Sequence, residues 1–340
     1  MKNKSACLVT GGAGFIGSHL ADRLVAMGND VRVVDNLSTG DEANLEQLSG
    51  KIEFIVGDLC DPAVCSRAVK DVSTVFHVAA LPSVPRSLKD PWGSHDANVN
   101  ATVRLLQACH KAGVKRVIYS SSSSVYGDTP RLPKEETMIP QPRSPYAASK
   151  LASEQYVLAF ARAGLIEGVA LRYFNIFGPR QSPDSPYAAV VPLFLRAIQG
   201  GEPLVLFGDG SQTRDFTYVD NAVDANVQAG ARRAEHVSGL VANVGAGART
   251  SLLELIAMME KITGLRAERE VRPARAGDVK DSLAGLENAR AVLDYTPRVR
   301  LEEGLRRTWE WSVKKRNGGR GSGDEAGGNI AAGMTSVRAT

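Results

Sequence analysis

Along the first half of the chain, short apolar runs rich in β-branched residues alternate with longer stretches whose apolar positions return every three or four residues. CLVT at 7–10 reads as a strand, and beyond it Ile16, Leu20 and Leu24 recur every four residues, as one face of a helix does. VRVVD (31–35), IEFIVGD (52–58), TVFHVAA (74–80), RVIYS (116–120) and GVALRYFN (168–175) read as further strands. Between them, residues 98–113 set Val99, Val103, Leu106 and His110 on one helix side, and 145–164 read as a long helix. Strands alternating with helices predict an α/β fold: a doubly wound parallel sheet covered on both faces. After residue 175 the pattern becomes irregular, broken by Pro179, Pro183, Pro186 and Pro192. A second mixed region contains a predicted helix at 251–263, whose Ser251 and Glu254 have capping-box spacing. From residue 317 onward the chain is glycine-rich without periodicity and reads as a disordered tail.

Composition narrows the function classes. The 340 residues are 43% hydrophobic and 23% charged, which suits a sizeable core. Net charge is only +4, with no Lys/Arg-rich block in the body of the chain, so nucleic acid is not an expected partner. The four cysteines form no CxxC pair and the histidines no HExxH, which argues against a disulfide framework or a zinc site. No apolar run approaches the length of a membrane span, and no secretory leader is recognisable; the expected compartment is the cytoplasm.

TGGAGFIG (10–17) follows the first strand and opens the first helix. Gly11, Gly14 and Gly17 stand three apart, and 12–17 also fits GxGxxG. Such glycines permit a tight turn and let backbone N–H groups approach a pyrophosphate, helped by the partial positive charge of the helix N-terminus. The simpler alternative is a tight βα turn with no ligand. Asp35 ends the second strand, where a carboxylate can bond the adenosine ribose and repel a 2′-phosphate, favouring NAD over NADP. Asp58, after the third strand, is a weaker candidate for the adenine end.

SPYAASK (144–150) places Tyr146 and Lys150 four apart on a predicted helix, so they share a face. A nearby ammonium stabilises a phenolate, which makes such a tyrosine able to take a proton from a sugar hydroxyl. YSSSSSVYG (119–127) contains five consecutive serines at the carboxyl end of a predicted strand. In an open α/β sheet that is where ligands bind, and a hydroxyl can both donate and accept there.

TGGAGFIG, HVAA, YSSSSSVYG, SPYAASK and LRYFNIFGPRQ, in this order and spacing, resemble the extended short-chain dehydrogenase/reductase family over about residues 5–312. Within it, the chain is most similar to the NAD-dependent nucleotide-sugar epimerases and dehydratases. The resemblance implies a Rossmann-type NAD-binding domain over 1–175, rejoined by segments around 217–250. It implies a smaller mixed α/β nucleotide-sugar domain over 176–316. Ser122, Tyr146 and Lys150 match the family's catalytic trio. The NAD contacts it implies are Gly11, Gly14, Phe15, Ile16, Gly17, Asp35, Asn36, Asp58, Leu59, Ala79 and Tyr173, together with Tyr146 and Lys150. For the UDP-sugar it implies Ser83, Arg86, Ser122, Ser123, Asn175, Val190, Val205, Phe207, Arg214, Arg275, Asp278 and Ser282.

The family's dehydratases and decarboxylase carry glutamate two residues after the catalytic Ser/Thr; here that position is Ser124. Four-epimerisation of a UDP-hexose is therefore the implied reaction, through a 4-keto intermediate. Ser282 stands where strict UDP-glucose/UDP-galactose enzymes resemble one another in bearing tyrosine, and its small side chain leaves room for a 2-acetamido group. Ala101 stands where the family usually has Gly, and Pro82 where classical galactose epimerases have Lys. A UDP-glucuronate 4-epimerase and a non-catalytic NAD-binding scaffold remain alternatives. The resemblance further implies a homodimer paired through the helices at 98–113 and 145–164.

Overall fold

The computed structural model describes residues 6–184, 188–273 and 279–320. Strands β1 (Ala6–Thr10), β2 (Val31–Asp35), β3 (Ile52–Val56), β4 (Val72–His77), β5 (Arg116–Ser122) and β6 (Glu167–Tyr173) form in turn. The short β7 (Asn175–Phe177), β8 (Leu204–Phe207), β9 (Thr213–Arg214) and β10 (Phe216–Tyr218) lie outside their sheet, and β11 (Leu240–Val244) joins it beside β6. The order is β11-β6-β5-β4-β1-β2-β3, with every pair parallel.

Side chains alternate across this sheet and feed two separate cores, as a period of two requires. Val9, Val33, Ile118 and Leu171 face one layer, with Leu20, Leu24 and Ala222 from the helices Phe15–Ala26 and Val219–Ala231. Leu8, Val34, Val117 and Ala170 face the other, with Leu105 and Val157 from the helices Ala101–Ala112 and Pro145–Arg162. Burial on both faces explains why these strands read as nearly continuous apolar runs.

From β1 the chain winds to one side through β2 and β3, then crosses to β4 and winds the other way. The reversal leaves a crevice beyond the carboxyl ends of β1 and β4, where Thr10 and His77 are register partners. The later segments build a second layer. β7 pairs with β10, β12 (Thr250–Ser251) with β9, and β13 (Arg269–Arg272) with β8. The capping box at Ser251 and Glu254 is formed. The helix Leu301–Arg320 reaches into the segment read from sequence as a tail; residues 321–340 lie outside the described residues. Among the described residues no helix is long and apolar enough to cross a membrane.

The helix Pro145–Arg162 starts where Ser144 accepts the Ala147 N–H and Pro145 occupies the first turn. It is anchored from inside. Glu154, with no exposed surface, receives Arg172 Nη2 at 2.7 Å and Nε at 3.0 Å from β6, and the Ser121 hydroxyl at 2.6 Å from β5. Removing one partner of such a pair strands a buried charge. Arg172→Met should lower unfolding free energy by about 3–5 kcal/mol. Equilibrium urea unfolding checks this: the midpoint should fall while the slope stays constant.

Candidate active site

A cavity of about 710 Å³ opens at the strand reversal. Its floor is the loop between β1 and the helix Phe15–Ala26. Gly11 has φ 65°, and a Cβ there would lie 2.7 Å from Ala79 Cα. Only glycine fits both demands at low cost. A Cβ on Gly17 would come within 2.1 Å of the Gly11 carbonyl, so the helix could not start so close to the loop. Gly14, Phe15 and Ile16 complete this wall and bring the helix N-terminus to the cavity.

Asp35 also lines the cavity, but its carboxylate is engaged. Oδ2 accepts the Ala13 N–H at 3.0 Å and Oδ1 the Leu37 N–H at 2.9 Å. Burial raises its pKa, opposed by these amides. Asp35 thus braces the glycine loop as well as facing the space where a ribose would lie. Beside it Asn36 donates to Asp58 Oδ2 at 2.8 Å, and the Cys60 N–H donates to Asp58 Oδ1 at 2.7 Å. Against the upward push of burial, these bonds hold Asp58 below the usual carboxylate range.

The five serines divide their tasks by strand alternation. The Ser120 hydroxyl meets the Tyr173 hydroxyl at 3.1 Å, and its carbonyl accepts Lys150 Nζ at 2.6 Å. Ser121 turns to Glu154. Ser122 ends β5 and lines the cavity with Tyr146, Lys150 and Tyr173. Ser123 opens the turn Ser123–Tyr126, the Ser124 N–H donates to Ser122 Oγ at 3.2 Å, and the Ser124 and Ser122 hydroxyls meet at 2.9 Å.

Lys150 is buried, its ammonium 4.8 Å from the Tyr119 ring centroid. Burial pushes its pKa down to about 7, against the opposing pull of Glu154. Burial also raises the Tyr146 pKa, countered by the Ser122 hydroxyl. Without ligands, then, burial shifts both groups toward their neutral forms; added positive charge in the cavity would favour the phenolate.

A further network, not anticipated from sequence, ties the loop to the Tyr146 helix. Thr102 donates its hydroxyl to the Asn98 carbonyl at 2.5 Å, so it accepts from His77 Nε2 at 2.9 Å. His77 Nδ1 then accepts from Thr10 at 2.7 Å, and Thr10 accepts the Ala79 N–H at 3.2 Å. Burial holds the His77 pKa at about 3, keeping it neutral. Asn98 Nδ2 continues to Ser149 at 2.9 Å, and Ser149 to the Tyr146 carbonyl at 2.8 Å. HVAA was a visible signal, but its partners are distant in sequence.

All thirteen residues expected to contact NAD line this one cavity, as do Ser83, Arg86 and Ser122 of the substrate set. Ser83 adopts φ 103°, unusual for a side-chain-bearing residue, and caps the helix Val84–Lys89. Ser123, Asn175, Val190, Val205, Phe207, Arg214 and Ser282 do not line it. Asn175 is exposed at the start of β7; Val205 and Phe207 lie on β8. Val190 opens the helix Val190–Gly200, next to the cavity residue Ala189. Arg214 donates to the carbonyls of Thr213 at 2.9 Å and Lys280 at 3.1 Å. Ser282 is buried, its N–H on the Thr213 carbonyl at 3.2 Å. Arg275 and Asp278 lie outside the described residues. Gln181 and Leu81 also line the cavity and were not singled out. Gln181 is the last residue of LRYFNIFGPRQ, whereas Leu81 carries no signal beyond following HVAA.

The glycine cradle, the helix N-terminus and the Asp35 carboxylate suit a dinucleotide. The lysine supplies a test that needs no ligand. Between pH about 7 and the ordinary lysine value of about 10.4, the unfolded chain binds a proton at Lys150 that the ligand-free fold does not. Stability therefore rises with pH across that window. Thermal or urea unfolding of the ligand-free wild type against Lys150→Met should show the wild type gaining relative stability from pH 7 to higher pH.

Comparison with known proteins agrees with this geometry. The model of the NAD dependent epimerase/dehydratase family matches residues 7–245. A UDP-glucose 4-epimerase of Mycolicibacterium smegmatis is 41% identical over 312 residues, covering 91% of this chain and 98% of that protein. The solved UDP-N-acetylglucosamine 4-epimerase of Methanobrevibacter ruminantium, in complex with UDP-N-acetylmuramic acid, is 40% identical with a TM-score of 0.86. It covers 93% of this chain and 100% of its own. The UDP-glucuronic acid 4-epimerase of Bacillus cereus, solved with UDP-glucuronic acid and NAD, is 33% identical with a TM-score of 0.86, covering 91% of this chain and 99% of its own. The glycine loop, the tyrosine–lysine helix and these matches agree, and the chain belongs to the NAD-dependent epimerase/dehydratase family.

Proposed function

We propose that this protein is a UDP-hexose 4-epimerase that interconverts UDP-GlcNAc and UDP-GalNAc, and also UDP-glucose and UDP-galactose. The observation that carries the reading is the meeting of Ser122, Tyr146 and Lys150 on the wall of the cavity floored by the glycine loop. The three relatives described above are named as 4-epimerases. Ser124, where the family's dehydratases and decarboxylase carry glutamate, leaves no acid for chemistry at C5 or C6.

NAD would be held by the glycine loop, Asp35 and Lys150, and supplies hydride acceptance and return at one sugar carbon. Tyr146 takes the proton of the 4-hydroxyl as the ketone forms and returns it after the sugar has turned over. Ser122 donates a hydrogen bond to the same oxygen, strongest when that oxygen carries most charge. Lys150, protonated, stabilises the Tyr146 phenolate. Acceptance of the 2-acetamido group rests on the small side chain of Ser282.

NMR of the purified protein with UDP-GlcNAc, and separately with UDP-glucose, tests this before and after NAD is added. Formation of UDP-GalNAc supports the full reading, and conversion of UDP-glucose alone keeps the reaction but removes the Ser282 argument. Turnover of UDP-glucuronate alone would replace the proposed substrate. Tyr146→Phe should lose about 10²–10⁴ in kcat, the usual contribution of general acid–base catalysis, while still binding NAD. A scaffold would show no turnover to lose. We also propose a homodimer through the helices Ala101–Ala112 and Pro145–Arg162; a monomer mass in light scattering at micromolar concentration would overturn it.

A further inference from the structure

Ser122 is the last residue of β5 and the N-cap of the turn Ser123–Tyr126. Its Oγ stands 3.2 Å from the Ser124 amide and 2.9 Å from the Ser124 hydroxyl. A serine hydroxyl owns one proton and two lone pairs. The Ser124 amide can only donate, so it occupies one lone pair. The hydroxyl–hydroxyl contact then decides the rest. If Ser124 donates, both lone pairs of Ser122 are filled and its proton has to point elsewhere. If Ser122 donates, its proton is spent inside the turn.

Ser122 and Tyr146 both line the cavity, whereas Ser124 does not, and the Ser122 hydroxyl is near enough to Tyr146 to counter the rise that burial imposes on its pKa. The backbone fixes this arrangement: β5 ends at Ser122, and the tight turn brings residue 124 back over residue 122.

We propose that Ser124 is a positioning residue whose hydroxyl, by donating to Ser122, holds the Ser122 proton out of the turn, where it points to Tyr146 in the sugar-free enzyme and to the reacting oxygen once substrate is bound. This gives residue 124 a role in the reaction without any contact to substrate. It also accounts for a hydroxyl there rather than alanine. The kinetic part rests on the epimerase reading; the ionisation part does not.

The test uses full-length protein loaded with NAD and the variants Ser124→Ala, Ser124→Thr and Ser124→Val. Threonine and valine match in shape, so their difference isolates the hydroxyl. The ionisation of Tyr146 is read as phenolate ultraviolet absorbance, each variant being compared with the same variant carrying Tyr146→Phe. A Ser122 proton aimed at Tyr146 stabilises the phenolate, so losing that aim raises the titration midpoint. Alanine and valine should move the midpoint up by about one pH unit and lower kcat about ten-fold, the effect of one hydrogen bond to a charged group. KM should stay constant, and threonine should behave as wild type. Melting temperatures check that each variant folds, and the Thr/Val pair decides the matter if alanine does not.

Wild-type midpoints and kcat in both alanine and valine overturn the proposal. A raised KM at an unchanged midpoint also overturns it, making Ser124 a sugar contact. If the wild type turns over no UDP-sugar, the epimerase reading falls; the absorbance titration still decides whether Ser124 orients Ser122.

Discussion

The carboxylate of Glu154 has no access to water, and everything near the tyrosine follows from how that charge is satisfied. It sits one turn beyond Lys150 on the helix Pro145–Arg162. Arg172 reaches it from β6 and Ser121 from β5, so one buried ion ties the helix to two adjacent strands. The register of Ser121 on β5 then fixes its neighbours. Strand alternation turns the Ser122 side chain away from Glu154, at the strand end that lines the cavity, and leaves the Ser120 carbonyl to hold Lys150. A buried pair of this kind adds little net stability over apolar packing. Its effect here is geometric: helix and strand cannot slide without breaking it.

The neutral chain through Thr10, His77, Thr102 and Asn98 does for the glycine loop what Glu154 does for the helix. Asn98 is central to it. Its carbonyl accepts from Thr102 and Ser153, its Oδ1 accepts the Leu81 N–H at 2.7 Å, and its Nδ2 leads to Ser149. The segment that crosses the strand reversal, the glycine turn and the tyrosine helix therefore share one set of hydrogen bonds. Thr10, His77, Asn98, Thr102, Ser149 and Ser153 are all buried, so each lost bond among them would cost desolvation as well as attraction. A charged His77 would carry a proton on Nδ1 as well and could no longer accept from Thr10, which is consistent with burial keeping it neutral.

The outer layer is held by a third buried group. Asp215, between Arg214 and Phe216, accepts the amides of Ala246 at 2.7 Å, Gly247 at 3.0 Å and Ala284 at 3.1 Å. Burial raises its pKa and these donors oppose the rise. The loop after β11, the segment carrying Ser282 and the β9 region are thus pinned to one carboxylate. Arg214 precedes that pin in sequence, and neither it nor Ser282 lines the glycine-loop cavity.

The sequence alone determined the parallel doubly wound sheet, because strand and helix periods differ and each leaves its mark on neighbouring residues. It also determined the glycine turn and the tyrosine–lysine pair, whose chemistry depends on spacings of three and four residues. Most of the residues expected at NAD lie on one cavity because they stand at or just beyond strand ends, which a parallel sheet gathers on one edge, and the helix Pro145–Arg162 brings Tyr146 and Lys150 to it. Only the tertiary structure decided which serine does what. Five identical residues carry no pattern, and their tasks come from the partners that Glu154, Lys150, Tyr173 and Tyr146 present from other elements. The same holds for His77 and Asn98, whose partners stand far along the chain, and for Asp35, which bonds the loop it was expected only to face. Local periodicity records which face a residue takes; a hydrogen bond between distant residues is recorded only in space.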